Sequence, residues 1–83
     1  MKVLIDVIGW LGSLEVILAY ALNSYQRIRS DSFIFQFLNL TGGIFLIINT
    51  VYYHAYPSTF INIVWVVIAA FAIAKRVKTT PQA

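Results

Sequence analysis

Polar side chains interrupt this chain so rarely that it divides into three long apolar stretches. Val3 to Leu22 is broken only by Asp6, Ser13 and Glu15. At ~1.5 Å per residue a helix of about twenty residues covers the ~30 Å hydrocarbon core of a bilayer, so this stretch predicts a first span. Asn23 to Asp31 carries Arg27, Arg29 and several polar residues and reads as a loop. Phe33 to Tyr53 predicts a second span, with Asp31 or Ser32 placed to cap it. His54-Ala55-Tyr56-Pro57 is a short connection. Pro57 suits a first helical turn, so a third span is expected from Ser58 to Ala74, closed by Lys75-Arg76-Val77-Lys78 at the interface. Thr79 to Ala83 is expected to be a disordered tail. Lys2 before an apolar run and Ala19-Tyr20-Ala21 also imitate a secretory signal, but two carboxylates inside the run argue against that.

Composition strengthens the membrane reading. Of the 83 residues 60% are hydrophobic and 11% charged, where a water-soluble domain carries roughly half and a quarter. The mean hydropathy is +0.81. Without cysteine there is neither a disulfide framework nor a thiolate metal site, and one histidine cannot build an imidazole cluster. No cofactor is therefore expected. The net charge of +3 is scattered and forms no stripe for nucleic acid. With three crossings, the loop holding Arg27 and Arg29 shares a side with Lys75, Arg76 and Lys78. Basic residues in short loops stay cytoplasmic, so the N-terminus and the His54 turn are expected outside, with Tyr52, Tyr53 and Tyr56 as an interfacial belt.

Helical spacing gathers the small and polar residues of each span. Gly9, Gly12, Ser13, Val16, Ala19 and Tyr20 share a stripe on the first, with Glu15 on its edge. Asn39, Gly42, Gly43, Leu46, Asn49, Thr50 and Tyr53 share one on the second, and Ser58, Asn62, Trp65 and Ala69 on the third. The stripes predict three helices facing a shared interior, with Gly9, Gly12, Ser13, Ala19, Gly42 and Gly43 as packing residues. Glu15 stands apart. A carboxylate at that depth costs on the order of 3 kcal/mol, and no Lys or Arg lies within a span to offset it. Asp6 has an ordinary place in a first helical turn at the interface. Asp6, His54 and Ser58 do not make a hydrolase triad, for there is no nucleophile elbow and no oxyanion donor, and no enzyme activity is expected.

Ile8-Gly9-Trp10, together with the proline and asparagine of Pro57-Ser58-Thr59-Phe60-Ile61-Asn62, resembles bacterial SemiSWEET sugar transporters of the PQ-loop superfamily. The chain departs from them at Leu22-Asn23, where a Pro-Gln pair is expected, and at Leu46, where their second span carries a tryptophan. Ala19-Tyr20-Ala21-Leu22, Leu38-Asn39-Leu40-Thr41-Gly42 and Pro57-Ser58 with Asn62 and Trp65 are similar to a family of short, permease-like bacterial membrane proteins of unknown function. These resemblances imply an all-α membrane protein with a SemiSWEET-like bundle of three transmembrane helices. The expectation is a homodimeric carrier or binding protein for a small solute in the bacterial inner membrane, with Glu15, Asn39, Asn49, Asn62 and Trp65 as candidate solute ligands. Dimerisation is expected because three helices alone enclose too little volume for a pocket of ~300 Å³. An accessory subunit packing against a larger partner is the alternative; a proton-coupled exporter with a glutamate in its first span is a third reading.

Overall fold

The computed structural model describes residues 1–78, with side chains through Lys75, and the expected tail lies outside them. Its three helices are α1 (Lys2–Ser24), α2 (Phe33–Tyr52) and α3 (Tyr56–Lys78). Each is long and apolar enough to cross a membrane. α1 and α3 extend past the apolar runs by up to a turn, because backbone hydrogen bonding continues into polar residues and takes in Tyr56 and Pro57 of the expected connection, whereas α2 ends at Tyr52, one residue short of the expected span. Pro57 lies in the first turn of α3, where its missing N–H costs nothing.

The helix ends are closed by local chemistry. Ser32 caps α2: its Oγ accepts from the Phe35 N–H at 3.2 Å and donates to the Arg29 carbonyl at 2.6 Å. Asp31, the other candidate cap, pairs instead with Arg29 at 2.9 Å. Both α1 and α2 finish in the same six-residue motif. The N–H of Gln26 returns to the Asn23 carbonyl and that of Arg27 to Leu22; at the second end His54 returns to Val51 and Ala55 to Thr50. The motif needs a left-handed residue at its turn, normally glycine, and here Gln26 (φ 60°) and His54 (φ 59°) occupy it. A non-glycine residue there carries a cost of roughly 1 kcal/mol or more. Gln26→Gly should accordingly raise stability by up to about 1 kcal/mol and Gln26→Val should lower it, as read by thermal unfolding in detergent.

Packing is organised around α2. It contacts α1 along one side and α3 along another, while among the described residues α1 and α3 do not pack on each other. The consecutive glycines of α2 explain this arrangement. A Cβ on Gly42 would meet the Gly12 carbonyl of α1 at 2.9 Å, whereas one on Gly43 would meet Val66 Cγ2 of α3 at 2.7 Å. Successive helical residues point roughly 100° apart, so the two neighbours approach α2 from directions separated by about that angle. The result is a V with α2 at its apex and Asn39 and Leu46 at helical positions between the two arms. The expected interior shared by all three helices is therefore replaced by two separate seams, because a helix carrying adjacent glycines offers a close-approach surface to each neighbour.

The seams are thin. Among the described residues no large side chain is fully buried, and Ile5, Ala19 and Ala69 are the buried hydrophobic ones. Across the α2/α3 seam the Thr59 hydroxyl lies 2.7 Å from the Thr50 hydroxyl, which donates to the Leu46 carbonyl at 2.8 Å. Small residues and interhelical hydrogen bonds are the means by which helices associate where the surrounding solvent is itself apolar. Most large apolar side chains face outward, including Trp10, Ile17, Phe60 and Phe71.

Candidate functional site

Glu15 lies on the α1/α2 seam one turn from the Gly12–Gly42 contact. The Thr41 hydroxyl donates to its Oε2 at 2.6 Å. Its other oxygen, Oε1, is buried and has no hydrogen-bond partner. Thr41 can also turn its proton to the Phe37 carbonyl at 3.0 Å, so the carboxylate holds one shared donor. The depth of Glu15 in an apolar span marks it in the sequence, but its pairing with Thr41 depends on the register of α1 against α2.

On the other edge of the same seam, toward the α1 N-terminus, an open cavity of about 290 Å³ is lined by Asp6, Trp10, Ser13, Leu46, Asn49 and Tyr53, with Gly9 in its wall. Ser13 and Glu15 are roughly 160° apart around α1, which places this groove and the Glu15 carboxylate on opposite flanks of the seam. Asn49 reaches across to donate to the Ile5 carbonyl at 3.0 Å, and a Cβ on Gly9 would collide with its amide. Tyr53 donates to Asp6 Oδ1. That carboxylate pushes the Tyr53 phenol above the ordinary tyrosine range. Lys2 completes the cluster, its Nζ 3.3 Å from Asp6 Oδ2 and 5.7 Å from the centre of the Tyr53 ring.

The five candidate solute ligands do not converge. Asn39 donates to the Phe35 carbonyl and Asn62 to the Ser58 carbonyl, each at 2.9 Å on its own helix. Trp65, expected on an inward stripe, is 46% exposed and joins Phe60, Ile61, Val64 and Ile68 on an apolar face of α3. Its place follows from Val66, the next residue, being the one that meets Gly43. Among the described residues no hydrogen bond links any two of the five. Of the expected packing residues, Gly9, Gly12 and Ala19 are buried on α1 and Gly42 and Gly43 on α2, while Ser13 lines the groove. Their contacts are within one chain.

Asp6, His54 and Ser58 are engaged separately. Asp6 serves Lys2 and Tyr53, His54 stands edge-on to Tyr56 with ring centres 5.8 Å apart, and the Ser58 carbonyl accepts from Asn62. The Asp6–Tyr53 contact was not anticipated. An acidic residue near one helix start and a tyrosine near the next helix end are a usable signal, since antiparallel neighbours bring those ends together.

No curated protein and no solved structure matches this chain. A family model does match, over residues 5–80, so its reach extends from the first turn of α1 past the end of α3. The chain belongs to that family, an uncharacterised one.

Proposed function

We propose that this protein is a small carrier or solute-binding subunit of the bacterial inner membrane, working as a homodimer with its N-terminus outside and its C-terminus in the cytoplasm. The observation that carries the reading is Glu15: a carboxylate within a span, held by one hydroxyl, with a buried oxygen left unpartnered. A fold gains little from such a group, whereas a site for an exchanging proton or a polar solute needs one. The V arrangement supplies the rest. One protomer leaves Glu15 at the flank of its α1/α2 seam, and a second copy laid against that flank would enclose it. The orientation rests on Arg27 and Arg29 sharing an end of the antiparallel helices with Lys75. Sugar is one solute class, suggested by the likeness of Ile8-Gly9-Trp10 and Pro57 to Asn62 to SemiSWEET transporters.

The chain lacks cysteine, so introduced thiols give clean cross-links. Leu11 and Leu18 lie on the Glu15 side of α1 and are 48% and 49% exposed; Phe71 on α3 is 72% exposed. In native membranes Leu11→Cys and Leu18→Cys should form dimers on oxidation and Phe71→Cys should not. Dimers through Phe71→Cys alone would remove the enclosed carboxylate, and monomers throughout would remove the homodimer. A different reading, an accessory subunit bound to a larger partner, is favoured by the unpartnered apolar face of Phe60, Ile61, Val64, Trp65 and Ile68.

A further inference from the structure

We infer that the groove at the N-terminal end of the α1/α2 seam is a binding site for an ammonium group. The site is complete in one protomer and goes beyond the carrier reading, since it requires neither a dimer nor transport. Asp6 is the sole charged side chain in its lining, and Trp10 and Tyr53 supply two aromatic rings. A carboxylate beside aromatic faces attracts cations through charge and ring quadrupole together. The chain already displays that chemistry. The Lys2 ammonium rests at the rim against Asp6 Oδ2 and above the Tyr53 ring. It is a weak occupant: an exposed ion pair four residues apart on a helix is screened by solvent and gains little, so a competing cation can displace it.

Two further groups are available for a ligand. Thr50, Asn39 and Asn62 donate back to a carbonyl of the preceding turn, and Thr41 and Thr59 have such a carbonyl within reach besides their partners across the seams. Ser13 makes no such bond among the described residues, although it lies within a span and lines the groove. Asn49 donates across the seam to Ile5, which fixes its nitrogen there and leaves its carbonyl oxygen as an acceptor. A primary ammonium has three donors, matching Asp6, the Asn49 oxygen and the Ser13 hydroxyl. A groove of about 290 Å³ admits a small amine or the head of a lipid. The shared chemistry is the ammonium, from a soluble amine or from a phosphoethanolamine headgroup in the surrounding bilayer.

Trp10 is 71% exposed and reports on the groove, and Trp65→Phe makes it the sole tryptophan. In that background, methylammonium chloride titrated into full-length protein in nonionic detergent should change Trp10 emission saturably. Sodium chloride at matched ionic strength should not. Lys2→Gln, at an exposed position, should tighten methylammonium binding several-fold by removing the tethered competitor, and Asp6→Asn should abolish it while the helical spectrum is retained. Repeating the titration in phosphatidylglycerol nanodiscs and in discs containing phosphatidylethanolamine separates the sources: weaker binding beside the ethanolamine lipid identifies the headgroup as occupant, and equal binding identifies a soluble amine. Emission that responds equally to sodium, or a Lys2→Gln protein that binds no more tightly than its parent, would overturn the assignment.

Discussion

Replacing Gly42 by alanine should cost far more stability than the same change at the adjacent Gly43. At Gly42 an added Cβ would lie 2.9 Å from the Gly12 carbonyl oxygen, 2.9 Å from Val16 Cγ2 and 3.3 Å from Glu15 Cβ. The reverse contact is equally close, for a Cβ on Gly12 would sit 2.8 Å from the Gly42 oxygen. A backbone carbonyl cannot turn aside as a side chain can, so relief requires α1 and α2 to separate along the seam. Overpacking of this kind costs typically 1–3 kcal/mol, and the upper end is expected here because the obstruction is backbone on both sides. At Gly43 the nearest atom is a methyl of Val66, with the next contact, the Asn62 carbonyl oxygen, at 3.8 Å. A valine methyl can give by a small shift, so a loss below about 1 kcal/mol is expected. Reversible unfolding of Gly42→Ala and Gly43→Ala in mixed micelles measures the difference. Equal losses would mean that the two seams are equally tight, contrary to the contacts that define them.

The glycine pair also marks the limit of what the sequence makes legible. The three helices, the Ser32 cap and the place of Pro57 follow from hydropathy and local hydrogen bonding, which act over a few residues. Gly42 and Gly43 are recognisable as packing residues for the same reason. Their division between two neighbours is not, because periodicity gives the faces of one helix and says nothing of how many helices approach it. Thr41 against Glu15 and Thr50 against Thr59 depend on the sliding register of one helix on another, which the close contact at Gly12 sets. Trp65 illustrates the converse: its helix is legible from hydropathy, yet a one-residue difference from Val66 turns it from the seam to the outer face. The candidate site was thus legible as a set of unusual residues within apolar spans, but not as an arrangement.

Glu15→Leu is expected to stabilise the folded protein and to remove its solute response. The carboxyl holds one hydrogen bond from Thr41, and its second oxygen is buried without a donor. Leaving a buried polar atom without a hydrogen bond costs about 1–3 kcal/mol, which an apolar side chain of similar volume avoids, and the lower end of that range applies to a half-buried residue such as this one. Thr41 would not be orphaned, since the Phe37 carbonyl remains an acceptor at 3.0 Å. Thr41→Val acts in the opposite sense. It strips the carboxyl of its donor and should cost about 1–3 kcal/mol, a loss that Glu15→Leu in the same chain should cancel. Glu15→Gln separates the remaining roles: its amide oxygen still accepts from Thr41, so stability should change little, while any exchange of a proton at this position is abolished. Thermal unfolding of the four variants, with ligand-induced melting shifts and flux measured across a panel of sugars and amines from about pH 5 to 8, gives both readouts. A Leu variant that is less stable than wild type would make Glu15 a structural residue, and a Gln variant with wild-type binding and flux at every pH would remove the proton from the proposed mechanism.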